Sequence, residues 1–230
     1  MCVARLNRVN SRHLQKRILI LTAIRMEADA IARQFRRSGP RGNIPVEIPS
    51  RMPAMLSVIG MGALRLPDLS GLPYAAIIMA GLAGGLDPNL VVGDVIVDQQ
   101  STWRASRIPF RKGKFHSTDK VVESAADKAK LYEQTRASVA EMENAKVRAA
   151  AASYSIPFLG IRSVSDSADE SLDPAVLQFI DPFGGVRYGD VVGEVFRRPS
   201  LVMKLRHLRK SSALALGTLG EAVRKMIDPE

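Results

Sequence analysis

Short apolar runs alternate with segments of helical period along this chain, and that alternation predicts a parallel or mixed sheet with crossover helices. Ile18–Thr22 (ILILT) reads as a first buried strand, and Met26–Arg37 as an alanine-rich helix closed by Ser38, Gly39 and Pro40. Prolines at 40, 45, 49 and 53 make residues 39–54 a surface connection or an edge strand. Met55–Ile59 is the next strand, followed by Gly60, Met61 and Gly62; Ala75–Met79 (AAIIM) is another and runs into GLAGG at 81–85. Val91–Asp98 follows as a strand whose Gly93 points to a bulge or a close approach. Residues 101–120 are polar and basic without a period and read as a mobile loop. Glu141–Ser153 is alanine-rich and free of breakers, a helix, and Ile156–Arg162 is a strand. From Pro174 the pattern is helical, interrupted at 181–185 and at Pro199. The expected fold is a single α/β domain over residues 17–230. Its mixed, twisted central sheet is flanked by helices, with a helical C-terminal part from about 174 and a basic arm over residues 1–16 before it.

Composition narrows the class. The chain has 230 residues, 46% of them hydrophobic, which is enough for a full core. Its one cysteine, Cys2, excludes an internal disulfide and a cysteine-based metal site, and the setting expected from this is cytoplasmic. His13, His116 and His207 show no ligand spacing, so no metal and no cofactor are implied. The run from Ile18 to Ile24 is far shorter than the ~18 residues of a membrane span. The net charge of +10 invites a nucleic-acid reading, but the charge is diffuse and no nucleic-acid-binding motif accompanies it. Small anions or an anionic surface fit such a protein better.

Candidate chemistry falls where strands end. Glu27 lies just beyond the first strand, the glycine cluster beyond the third, and Ser165 and Asp166 beyond the last. In open α/β sheets, ligands bind outside the carboxyl ends of the strands. Each element also has a structural reading. Glu27 in a helix's first turn complements the dipole. The GLAGG cluster makes a tight turn, and it does not match GxGxxG. Ser165 or Asp166 caps a helix starting near Ala168, and Glu143 is a solvated helix residue.

Together, TAIRMEAD (22–29), GMG (60–62), AGLAGGLDPNLVVGDVIV (80–97) and EMEN…IPFLGIRSVSD (141–166) resemble the nucleoside phosphorylase/nucleosidase superfamily. Within it they resemble especially the methylthioadenosine/S-adenosylhomocysteine nucleosidases, over about residues 17–170, and the chain as a whole is most similar to the hopanoid-associated phosphorylases. The resemblance implies cleavage of the N-glycosidic bond of a purine nucleoside. It makes Asp166 the general acid at purine N7, positioned by Arg162 and hydrogen-bonded by Ser165. It gives the ribose hydroxyls to Glu143, the underside of the sugar to Met142, and the attacking water to Glu27. Gly81, Leu82, Ala83 and Gly84 would approach base and ribose.

Two departures stand out. Leu82 occupies a position where the family often has Ser, making the pocket greasier, and the segment between Asp98 and Glu141 is short, leaving the pocket open toward a bulky 5′ group. Phe115 is the candidate for stacking on the base. The tail at 181–223 (DPFGGVRYGDVV…) is similar to that of the hopanoid-associated phosphorylases, which implies an adenosine whose 5′ carbon bears a large apolar lipid, as in adenosylhopane. Independently, Arg197, Arg198, Lys204, Arg206, Arg209 and Lys210 interleave with Leu201, Val202, Met203, Leu205 and Leu208. Such a helix can rest on an anionic bilayer, peripheral on the inner membrane face, or it packs on the core with solvated cations.

The expected reaction is adenine release from a 5′-substituted adenosine, with water or inorganic phosphate as nucleophile; Arg25 and Arg104 are the candidate phosphate ligands. The resemblance also implies a homo-oligomer. Alternatives are a methylthioadenosine/S-adenosylhomocysteine nucleosidase, a catalytically silent nucleoside- or lipid-binding relative, and a basic nucleic-acid-binding protein.

Overall fold

The computed structural model describes residues 16–70, 73–103, 110–173, 181–185 and 201–229. The basic arm up to residue 15, Arg104, and residues 174–180 and 186–200 lie outside them, and with them Arg197, Arg198 and Pro199. Thirteen elements follow one another: β1 (Arg17–Thr22), α1 (Arg25–Arg33), β2 (Val46–Ile48), β3 (Ala54–Val58), β4 (Tyr74–Gly85), β5 (Val95–Asp98), β6 (Arg111–Gly113), β7 (Phe115–Ser117), α2 (Ala125–Thr135), β8 (Val139–Glu141), α3 (Asn144–Ser153), β9 (Phe158–Asp166) and α4 (Leu201–Ile227).

The nine strands form one sheet in the order β2-β3-β1-β4-β9-β5-β6, with β8 pairing β4 and β7. β3, β1, β4 and β9 run parallel, while β2, β5 and β8 pair antiparallel to their neighbours in that block. This is the mixed α/β sheet expected. Ile18 to Leu21 are buried on both faces, as a central parallel strand requires, so the run is continuous rather than alternating. One face packs on α1 and the second half of α4, through Ile31, Leu219, Val223 and Ile227. Gly220 lets α4 approach closely, since a Cβ there would lie 2.7 Å from the Ala30 carbonyl oxygen. Leu19, Ile77 and Met79 face the other way, against Val147 and Ala151 of α3.

Several boundaries differ from the pattern-based expectation. α1 stops at Arg33, and Arg36 turns left-handed (φ 55°) so that the Gly39 N–H reaches the Asp29 carboxylate. The glycine cluster lies inside the twelve-residue β4 and makes no turn. Gly93, at φ 94°, turns the chain before β5, which begins only at Val95. The segment expected as a loop carries β6 and β7, paired to β5 and β8. Helix α2 was not foreseen. The expected helix from Glu141 begins at Asn144, because the Glu141 carboxylate closes a strand and accepts the N–H groups of Glu143 and Asn144. β9 runs on through Asp166, and no helix follows near Ala168.

Candidate active site

The carboxyl ends of β1, β3, β4 and β9 face one edge, and a single cavity opens there. Glu27, Leu82, Ala83, Gly84, Met142, Glu143, Ser165 and Asp166 all line it. Glu27, in the first turn of α1, folds back onto the strand ends. One oxygen accepts the N–H groups of Ala23 (2.9 Å) and Ile24 (3.0 Å), and the other that of Leu82 on β4 (2.8 Å). A Cβ on Gly81 would stand 2.8 Å from that second oxygen, so the close approach needs glycine. Burial lifts the Glu27 carboxyl to about 7, against the opposing pull of the Leu82 and Ile24 N–H groups; the charge of Glu143 adds to the rise.

Glu143 sits at the N-cap position of α3, buried rather than solvated. Its Oε1 accepts the Gly62 N–H at 2.9 Å, and its Oε2 lies 3.3 Å from the Arg162 guanidinium. Gly62 presents that N–H from a left-handed turn (φ 67°) in the GMG loop. Burial pushes the Glu143 carboxyl up, while Arg162 and then Gly62 offset part of the rise. Glu141 goes the other way. Burial would raise it, but Arg162 (2.8 Å), the Ser117 hydroxyl and the N–H groups of Asn144 and Glu143 together hold it below the usual carboxylate range.

Arg162 therefore does not position Asp166. It is fully buried, its Nη1 donates to the carbonyls of Met79 (3.0 Å) and Ile161 (3.2 Å), and its Nη2 spans Glu141 and Glu143. Its Nη2 thus serves two carboxylates at once, and Asp166, four residues along the strand, is left to other donors. Asp166 instead receives the Ser165 hydroxyl on Oδ1 (2.5 Å) and the Lys128 ammonium on Oδ2 (2.5 Å). Glu141 and Lys128 are the residues that sequence reasoning missed. The ExE spacing of Glu141 and Glu143 was visible, but both were placed on one solvated helix. Nothing local distinguishes Lys128 from its neighbour Lys130.

Apart from Thr118, the rest of the wall is apolar, with Leu86, Val121, Val122 and Leu172 facing the same space. Phe115 is not among its residues; it packs with Ala83, Leu90, Ile96, Val139 and Val164. Gly81 backs Glu27 from β4 without lining the cavity itself. Arg25 is exposed and away from the cavity, whose one cationic side chain among the described residues is Lys128. Among the described residues no cluster of His, Cys, Asp and Glu could hold a metal ion.

A family model described as Phosphorylase superfamily matches residues 98–183, the stretch that carries Lys128, Glu141, Glu143, Arg162 and Asp166. No curated protein matches the chain. Among solved structures, the chain is similar to the 5′-methylthioadenosine/S-adenosylhomocysteine nucleosidase of Helicobacter pylori, with 17% identity and a TM-score of 0.59 over 93% of this chain and 98% of that one. The futalosine hydrolase of the same organism gives 18%, 0.58, 94% and 98%, and the 5′-methylthioadenosine nucleosidase of Arabidopsis thaliana 15%, 0.57, 92% and 96%. At these identities the likeness is one of fold, and it covers nearly the whole chain.

Proposed function

We propose that this chain, with the fold of the phosphorylase-superfamily nucleosidases and a family match over residues 98–183, cleaves the N-glycosidic bond of a 5′-substituted adenosine and releases adenine. The observation that carries this reading is the convergence of four carboxylates, Glu27, Glu141, Glu143 and Asp166, on one largely apolar cavity; Glu141 is taken up by Arg162, Ser117 and two backbone N–H groups, which leaves three for a substrate. A purine that leaves a ribosyl cation needs a proton, an anchored sugar and a nucleophile, and each has a group suited to it. Asp166, oriented by Ser165, serves the base as general acid. Glu143 accepts the ribose hydroxyls beside Met142 and strengthens its hold as positive charge grows at the anomeric carbon. Glu27, ionising near neutrality, takes the proton of the attacking nucleophile. Arg162 keeps Glu143 aimed and offsets part of the rise that burial gives its carboxyl.

Water is the nucleophile this cavity favours. Phosphate would enter as a dianion, and the one cationic side chain among the described lining residues, Lys128, already spends its three N–H groups on protein acceptors. The 5′ substituent is apolar in this reading. Leu172 borders both the catalytic cavity and a neighbouring groove, where Met203 and Leu208 of α4 join Glu170, Asp173, Lys204 and His207, so a lipid chain leaving the cavity would run along the apolar residues of that groove. Adenosylhopane is the substrate that the tail's resemblance implies.

The test is to incubate the protein with adenosylhopane, methylthioadenosine, S-adenosylhomocysteine and inosine, with and without phosphate, and to assay free base between pH 5 and 9. Adenine should appear without phosphate, fastest from the lipid-bearing nucleoside. Because Glu27 is protonated below about 7 and must be ionised to act as a base, kcat/KM should rise with pH through that value. Release only with phosphate would make the chain a phosphorylase. No release from any substrate would make it a silent binder.

A further inference from the structure

Lys128 is fully buried in the first turn of α2, a doubly unfavourable place for an ammonium group. Burial strips its water, and the helix N-terminus repels positive charge. The surroundings compensate in full. Its Nζ donates to Asp166 Oδ2 (2.5 Å), to the Ser167 carbonyl (2.7 Å) and to the Glu170 carbonyl (2.8 Å), which uses all three N–H bonds. The same segment is stapled to α2 twice more. The Ala125 N–H donates to the Ser171 hydroxyl (3.0 Å), and the Leu172 N–H to the Glu123 carbonyl (2.8 Å). Gly84 backs the pair, since a Cβ there would lie 3.2 Å from Asp166 Oδ2. A side chain held only for packing would not need a carboxylate that already lines the cavity.

We propose that Lys128 is the positioning residue of the leaving-group site, holding Asp166 in place and supplying through it the proton that the departing base takes up. This role rests on the glycosidic-cleavage reading above. As the bond from the anomeric carbon to purine N9 breaks, its electron pair goes to the purine. The Lys128–Asp166 pair starts net neutral and shares one mobile proton. One proton passes from the pair, by way of the Asp166 carboxyl, to purine N7, and the pair is left with a net charge of −1. Solvent returns that proton after adenine leaves. Ser165 on Oδ1 and Lys128 on Oδ2 make the two oxygens inequivalent, so the carboxyl cannot turn away from the base between the two events.

The experiment compares two ribosides carrying the same 5′ group, one with adenine and one with p-nitrophenol, a leaving group that departs as a stable anion and needs no proton. Lys128→Met should lower kcat for adenine release by about 100-fold or more, the range of general acid catalysis, while nitrophenol release falls by less than about tenfold. In an Asp166→Asn background, Lys128→Met should add nothing to either rate. That double variant also removes both buried charges, so it keeps the comparison available where the single variant unfolds. Equal losses on both ribosides, or a further loss in the Asp166→Asn background, would overturn the proposal. A wild type that releases nitrophenol but no adenine would overturn it too. A wild type that releases neither would remove the cleavage reading itself, and the role of Lys128 with it.

Discussion

Arg162 and Lys128 are both fully buried and both face carboxylates of the cavity, yet the chain holds them in different ways. Arg162 is gripped by the sheet. It stands on β9, donates to a β4 carbonyl, and meets Glu141 at the end of β8 and Glu143 just beyond. Lys128 comes from a helix, and its acceptors are the last residue of β9 and the chain that follows. The Glu143 side of the cavity is thus preorganised by the same strands that make the core, and the Asp166 side is assembled from two segments. On the proposed reading, a disturbance at Arg162 should cost more stability and one at Lys128 more of the reaction.

The sharpest way to break this comparison is Arg162→Met. It leaves Glu141 and Glu143 buried without their cation, and removing one partner of a buried ion pair costs about 3–5 kcal/mol. Urea unfolding should show a loss of that order, larger than for Lys128→Met. An equal or smaller loss would mean that the sheet does not depend on this cation.

Such a division was only half visible in the linear pattern. ILILT and AAIIM announce central strands because a strand buried on both faces has no polar alternation to hide it. The segment 101–135 was opaque for the opposite reason. Its short strands Arg111–Gly113 and Phe115–Ser117 are polar, and only pairing with β5 and β8 makes them strands. Helix α2 has a Ser124 cap on Asp127, a local signal that could have located it. Glu27, Ser165 and Asp166 were legible through their positions after strand ends and Glu143 only through the family resemblance; the structure brings all four to one cavity. The partners of Arg162 were not legible, because a residue four along the same strand stands about 13 Å away, beyond a guanidinium's reach. Which carboxylate a buried cation meets is decided across the sheet.

A smaller effect separates the two sides of the sugar site. Glu143→Gln weakens a charge-assisted hydrogen bond of ~1.5–3 kcal/mol. Cleavage of the ribonucleoside should fall by roughly ten- to a hundredfold more than that of its 2′-deoxy analogue. Equal losses in kcat/KM for the two substrates would detach Glu143 from the hydroxyls.

The smallest effect concerns the start of α4, where Val202, Met203, Lys204, Arg206, Arg209 and Lys210 are exposed while the second half of the helix is core. Each cation near an anionic bilayer contributes ~1 kcal/mol, which salt weakens. Co-sedimentation with anionic vesicles at low ionic strength should exceed that with neutral ones, and Arg206/Arg209/Lys210→Ala should abolish the difference. A wild type that stays in solution with both would leave the lipid-bearing substrate to arrive by another route.

The glycines of β4 limit how this protein can change over evolutionary time. Gly81 and Gly84 leave no space for a Cβ without disturbing Glu27 or crowding Asp166, so substitutions there act on those carboxylates before they act on the aliphatic wall. Val121, Val122 and Leu172 carry no such duty, and Val121 is already 38% exposed. Variation that spares the chemistry is therefore confined to one side of the cavity. On the proposed reading, descendants of this sequence exchange one 5′ substituent for another through a handful of aliphatic positions, while the carboxylates that break the bond are inherited intact.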